Sequence, residues 1–492
     1  MTSAPSSAPE ITDSTPKNGF DRFFEITKRR STLGAEIRGG VVTFVAMAYI
    51  VILNPIILSG SPDVVGDELG FTQVAATTAL TAGVMTILFG LVTRLPFAFA
   101  AGLGINSFLA VSVVGQVTWA EAMGLVVING LIIVLLAATG LRRMIFDAVP
   151  IQLKLAITVG IGLFIAFIGF VNAGFVTATG TSSPPVGLGV DGSVTTVPTL
   201  IFVITLLLTG ILVARRVKGG ILIGLVTGTV VAVIVEAIWK IGPMFGDDGV
   251  NPGGWSLSVP ELPGAIVSMP DLSLLGQVGF DAFAGSFERI GVLAALMLVF
   301  TLVFTNFFDA MGTMTGLSKE ANLADAKGDF PRIKSALVVE GIGAVAGGLT
   351  SSSSNTVFIE SGAGIGEGAR TGFANVVTGV LFLVAMFLTP LVSIVPTEVA
   401  SAALVIVGAL MMSQIRFIDF SEFSVLLPVF LAVTVMPLTY SIANGIGAGF
   451  VGWVIVRSLS GKAKQISPLL WIVAAGFLVY FARGPVEAIL GG

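Results

Sequence analysis

The sequence predicts an all-α polytopic membrane protein of about fourteen transmembrane helices, built as seven plus seven with the second set inverted relative to the first. Three observations predict it. Of 492 residues, 54% are apolar and 11% charged, whereas an ordinary soluble domain carries roughly 25% charged residues. Apolar runs such as 41–58 and 296–308 have the length and purity of segments solvated by lipid. The third span of each half is interrupted by a stretch poor in helix formers, AFAAGLGINSF at 98–108 and TSSSSNTVFIESGAGIG at 350–366. Broken spans at matching positions of two odd-numbered, oppositely facing halves point to a binding site near the bilayer midplane.

In chain order, residues 1–16 are rich in Ser, Thr and Pro and lack the basic-then-apolar pattern of a cleaved signal, so a disordered tail is expected. The first span then acts as its own insertion signal. Spans fall near 36–59, 73–93, 97–115, 119–139, 150–171, 197–214 and 220–240. A Gly- and Pro-rich linker, 241–290, precedes spans near 291–315, 332–350, 354–367, 370–395, 400–415, 423–440 and 441–458. Within the linker, Leu274 to Arg289 reads as an amphipathic helix along the outer surface. The apolar stretch 468–482 reads equally as a fifteenth span or an interfacial helix. The 61 glycines allow close helix approach in lipid and broken helices around a cavity.

A cytoplasmic N-terminus puts 22 of the 25 Lys and Arg residues inside, among them Arg142, Arg143, Arg215, Arg216, Lys218, Lys334 and Lys464. Only Lys240, Arg289 and Arg483 fall outside, and loops 172–196 and 241–288 carry no basic residue. This is the positive-inside pattern. A net charge of −4 offers no basic patch for nucleic acid. With no Cys and no His, disulfides, thiolate metal sites and His-based catalysis are excluded, and no cofactor or metal is expected. GLGIN and GAGIGEG look like phosphate loops but lack a strand-then-helix setting and a partner Lys.

An ionisable side chain near the bilayer centre costs about 2.5–3.5 kcal/mol, so each needs a reason. Three stand out: Asp309 in LVFTNFFDAMGTMTG, Glu340 in SALVVEGIGAVAGG and Glu360 in NTVFIESGAG. Asp309 could merely hold helices together, with Thr313 as a donor, yet Phe307 and Phe308 before it make an aromatic wall beside a hydrogen-bonding group. Glu360 lies where half-helix ends expose backbone groups. Glu340 reads as structural support or as part of a proton path. Asn106 reads as a half-helix cap or as a ligand contact. Two acids with amides and hydroxyls around one cavity suit a neutral planar heterocycle, stacked on aromatic rings. A desolvated carboxylate can also load a proton with the substrate, which is a route to proton symport.

The motifs GAEIRGGVVTFVAMAYIVILNP (34–55), GLGINSF (102–108), FFDAMGT (307–313), NTVFIESGAG (355–364) and MPLTYSIANGIGAGF (436–450) carry a resemblance from about Phe23 onward. In these the chain resembles the AzgA-like purine permeases of the nucleobase cation symporter superfamily. The resemblance implies fourteen helices in two inverted repeats, with short extended segments in spans three and ten meeting at the centre. It implies a core (spans one to four, to about 139, and eight to eleven, 291–395). It also implies a gate (span five within 34–171, spans six and seven at 197–240, and spans twelve to fourteen at 400–458), followed by an apolar segment and tail at 466–492. It places purine (guanine, hypoxanthine or adenine) on Asp309, Glu360 and Asn106, with Phe308, Ser361 and Thr313 beside them. Proton coupling falls to Asp309, Glu360 and Glu340. It further implies elevator-type uptake across the plasma membrane by a homodimer. Phe358 stands where relatives usually have Tyr, Glu340 where they usually have Asp, and the run Ser351–Ser354 varies a usual Gly-Thr-Ser pattern. Two other readings compete with this one. An anion exchanger of the same fold usually carries a soluble C-terminal domain, and acids would repel its cargo. An intramembrane enzyme would have only an acid pair to work with.

Overall fold

The computed structural model describes residues 16, 18–141, 148–181, 183–189, 192–246, 249–325 and 330–482. The tail before residue 16, Arg142, Arg143, Arg483 and the chain end after 482 lie outside the described residues, as does the side chain of Phe308. Among the described residues, ten helices are long and apolar enough to cross a membrane, and 103–113, 423–438 and 468–481 form shorter apolar ones.

After a short helix α1 (Gly19–Phe24), the first half runs through α2 (Leu33–Met47), α3 (Ile50–Ser59) and α4 (Phe71–Thr93). Strand β1 (Phe99–Ala101) leads into the short helix α5 (Leu103–Phe108), followed by α6 (Trp119–Thr139), α7 (Ile151–Asn172), α8 (Val197–Ala214) and α9 (Gly220–Trp239). A two-stranded ribbon (Val176–Ala178 with Val186–Leu188) precedes α8, and the linker holds a second (Phe245–Gly246 with Gly249–Val250) and α10 (Phe280–Ile290). The second half repeats the order: α11 (Val292–Glu320), α12 (Ile333–Leu349), a strand at Asn355–Val357, α13 (Ser361–Gly366), and α14 (Gly372–Ala385) with its continuation α15 (Thr389–Val392). Then come α16 (Thr397–Met412), α17 (Phe423–Leu438), α18 (Ile442–Arg457) and α19 (Pro468–Phe481).

Packing repeats with the same two-fold logic. Helix α4 packs on α14 as α6 packs on α12, which is the same pairing with the halves exchanged. Likewise α7 packs on α17 as α16 packs on α8, while α7 and α16 pair with each other. The helices thus form two groups, α2–α6 with α11–α15, and α7–α9 with α16–α18. The first group centres on the two strands, antiparallel with Phe99 opposite Val357 and Ala101 opposite Asn355. The ladder is extended by Phe358 N–H donating to Ala98 O (2.9 Å) and Gly102 N–H to Ser354 O (2.9 Å). Remaining backbone groups find side chains: the Thr86 hydroxyl accepts from Phe99 N–H and faces Phe99 O, and the Asn375 amide donates to Phe97 O (2.6 Å). That accounting is what a non-helical backbone needs inside a bilayer.

Three expectations change. The amphipathic linker helix begins at Phe280 rather than Leu274, and Arg289 near its end pairs with Glu121 (2.9 Å) at the start of α6. GLGIN and GAGIGEG do follow strands and open helices, although neither motif is followed in sequence by the Lys of a phosphate loop. The 468–482 stretch lies lengthwise and antiparallel along α18: Phe477 and Phe481 meet the Gly447 surface, and Ser467 bonds Ala148 O (3.0 Å) at the other end.

Helix α13 owes its position to backbone contact. A Cβ on Gly364 would lie 2.1 Å from the Thr43 hydroxyl and 2.3 Å from Gly39 O, and one on Gly39 would lie 2.5 Å from Ala369 Cβ. Gly364→Val should therefore push α13 off α2 and cost about 1–3 kcal/mol, the range for overpacking. A lowered unfolding temperature in detergent would report it, and an unchanged one would refute the contact.

Candidate functional site

The site lies where the two half-helices start beside the strand pair. Glu360 closes the turn after the second strand and is the residue from which α13 starts; its side chain is half-buried. The phenol of Tyr49, at the break between α2 and α3 and 1% exposed, donates a short hydrogen bond to Glu360 Oε1. Asp309 is half-buried on α11, which packs against α13, the second strand and α5. Glu340 is fully buried on α12, which also packs against the second strand. The three acids singled out in the sequence therefore come from three elements of the second half arranged around that strand, with Tyr49 of the first half holding Glu360.

A belt of amides lies beside them. Asn306, one turn before Asp309, donates to the Ser354 hydroxyl (3.1 Å). Asn54 on α3 donates to the Thr78 hydroxyl (2.7 Å) and to Ser352 O (3.0 Å), and accepts from Asn106 Nδ2 (2.5 Å). Asn106 is therefore not the cap of its half-helix. Gly102 holds that position with no side-chain bond, and Asn106 sits a turn further along. The fully buried Oδ1 atoms of Asn106 and Asn306 accept nothing among the described residues. Buried acceptors without donors are costly, so these oxygens are available to a ligand N–H.

The other expected residues fall into place unevenly. Ser361 is fully buried, with its hydroxyl donating to Phe358 O (2.7 Å) and accepting from Ala98 N–H (2.9 Å). It clamps the half-helix to the first strand. Thr313, half-buried, lies one turn beyond Asp309 on α11. Phe308 is on the same helix, its side chain outside the described residues; its neighbour Phe307 is buried. Sequence reasoning missed Tyr49, Asn54 and Asn306. Signals existed: Tyr49 is one of three tyrosines in the chain, and Asn54 interrupts an apolar run just before Pro55.

Chemically, the group offers carboxylate and amide oxygens as acceptors. The start of α5, which no side chain caps, and a phenol supply the polarity opposite them. There is no group of three or more His, Cys, Asp or Glu placed to hold a metal among the described residues.

A model of the Permease family, Xan_ur_permease, matches residues 34–448. The chain is 36% identical over 467 residues to the guanine/hypoxanthine permease PbuG of Bacillus subtilis, covering 93% of this chain and 98% of that one. It is 34% identical over 462 residues to the adenine permease AdeP of Escherichia coli, covering 94% and 95%. Among solved structures it resembles the transmembrane domain of the cyanobacterial bicarbonate transporter BicA, with a TM-score of 0.57 at 18% identity, covering 86% of this chain and 97% of that one. Murine solute carrier 26 family member A9 gives 0.57 at 11% identity, covering 92% and 74%. At those identities the structural likeness speaks for the fold. With a family model spanning most of its length and relatives above 30% identity end to end, the chain belongs to the Xan_ur_permease family, a multi-pass membrane transporter and not an enzyme.

Proposed function

We propose that the protein is a secondary active importer of purine nucleobases (guanine, hypoxanthine or adenine) in the plasma membrane, with a cytoplasmic N-terminus and proton as the coupling ion. The observation that carries this is the placement of Asp309, Glu340 and Glu360 on elements around the second strand, beside the amide belt, in a chain similar from end to end to permeases named for purines. A purine presents ring N–H donors to Asp309 and Glu360, and ring nitrogens or a carbonyl to the uncapped start of α5. Its planar face has aromatic neighbours in the Phe307–Phe308 stretch. Charged acids in one group repel, so a proton arriving with substrate relieves the repulsion and links the two fluxes. The packing that repeats on exchange of the halves gives two arrangements of similar energy, the precondition for alternating access. In this reading the group containing the strands, the core, moves in elevator fashion against the other, the gate, in a homodimer. An anion cargo is disfavoured by the three acids, and the likeness to bicarbonate and solute-carrier proteins rests on fold.

Uptake of radiolabelled adenine, guanine, hypoxanthine, xanthine and uracil by cells lacking their own carriers tests this. Saturable purine uptake that collapses with a protonophore is expected. A protein present in the membrane that moves none of the five overturns the substrate class, and purine uptake indifferent to the protonophore overturns the coupling. Asp309→Asn and Glu360→Gln should each lower uptake by about 10- to 150-fold, since a hydrogen bond to a charged group contributes about 1.5–3 kcal/mol. Wild-type kinetics in both variants would remove the site. Tyr49→Phe keeps the ring and deletes only the donor to Glu360; a loss of about tenfold in uptake efficiency is expected, and an unchanged efficiency would make that bond incidental.

A further inference from the structure

A cavity of about 440 Å³ lies apart from the three acids, and nothing so far assigns it a role. Its walls come from both helix groups: Phe108 at the end of α5 and Gln116 just beyond it on one side, Tyr440 and Asn444 at the turn between α17 and α18 on the other. Tyr480 of α19 closes it. Among the described residues that line it there is no Asp, Glu, Lys or Arg. Its size suits a small ligand, and its lining of rings, amides and hydroxyls without charge suits an uncharged flat molecule with polar edges. The walls are held in place. The Tyr440 ring meets Phe164 and Phe167 edge-on, at 5.7 Å from each. Its backbone is left-handed (φ 53°), and its carbonyl accepts from the Ser112 hydroxyl (3.1 Å). Ser441 caps α18 and fixes Asn444. Phe108 lies two residues from Asn106 on the same half-helix, so the cavity and the amide belt share one element.

We propose that this cavity is a second binding site for the transported planar heterocycle, an antechamber at the face of the membrane where the 116–119 and 439–441 turns lie. This rests on the purine-transport reading. Here the base stacks against Tyr480 and Tyr440 and hydrogen-bonds Asn444 and Gln116 before it passes Phe108 to reach the acids. The site is directional: it lies at one end of the path, so it acts on substrate arriving from that face alone. It also gives α19 a role, because a helix beyond the two sets of seven carries one of its walls.

The test is transport by the full chain in sealed vesicles of both orientations, with wild type, Tyr480→Ala, Tyr480→Phe and Asn444→Ala. The expected result is a three- to tenfold rise in KM for Tyr480→Ala and Asn444→Ala when substrate is offered from the cavity face, with maximal rate within twofold. From the opposite face KM is unchanged, and Tyr480→Phe restores the wild-type value on both. Equal KM shifts from both faces, or none from either, overturn the antechamber. A fall in maximal rate without a KM change assigns the residues to support of the helices and overturns it as well. Wild-type vesicles that move no purine would instead defeat the purine reading on which it stands.

Discussion

The constraint on which the rest of the structure depends is that backbone N–H and C=O groups inside a bilayer must be paired within the protein. Two interrupted spans create unpaired groups at the centre of the fold, and each supplies what the other lacks. The antiparallel pairing of 99–101 with 355–357 does this, aided by Thr86, Asn375 and the Ser361 hydroxyl. Once the strands are paired, the two short helices must start on either side of them. Glu360 is thereby fixed at the start of one, and Asn106 a turn into the other. The site is a by-product of the pairing: removing the strand contact would displace every functional group on these two spans at once.

The same pairing explains why the acids come from one half and the amide belt from both. Asp309, Glu340 and Glu360 sit on α11, on α12 and at the start of α13 around the second strand, while Asn54, Thr78 and Asn106 come from the matching α3, α4 and α5 around the first. Exchange of the halves repeats the packing of helices but not the chemistry of side chains. The asymmetry is useful to a transporter: the scaffold needs two arrangements of similar energy, whereas the cargo needs one well-defined set of partners.

Much of this was legible in the sequence, and the parts that were not have identifiable causes. Hydropathy and the paired interruptions exposed the spans, because a lipid-facing helix must be apolar over its whole length and a broken one cannot hide its Gly and Ser. The acids were legible because a carboxylate in an apolar run is costly. Tyr49 and Asn54 were not, since neither is expensive enough to attract notice and their importance arises from contacts more than 300 and about 50 residues away. Asn106 was read as a possible cap because Asn often caps helices; Gly102 supplies the needed extended backbone instead, and frees Asn106 for Asn54. The orientation of 468–482 depended on the glycine surface of α18, a feature of packing that composition does not reveal.

The connections between the two helix groups constrain any motion between them. The chain crosses from one group to the other in the short 393–396 link before α16, where Glu398 accepts from the Ser256 backbone N–H (3.0 Å) and hydroxyl (2.6 Å). Twelve residues after Ser256 the linker returns to the first group: Ser268 N–H donates to Phe387 O (3.0 Å), and the Ser268 and Thr389 hydroxyls meet at 3.3 Å. The linker therefore crosses beside the 393–396 link, so two strands of chain share one corner. Between their anchors, residues 257–267 can extend to about 36–40 Å, so the linker has slack, whereas the four-residue link has little. At another junction, Lys218 of the second group forms an ion pair with Glu367 at the end of α13 in the first. An exposed pair of that kind contributes little, typically under about 1 kcal/mol, and can break at small cost. The two groups are thus tied covalently and by hydrogen bonds at the 387–398 corner, by helix packing along their shared face, and only weakly by charge at Lys218.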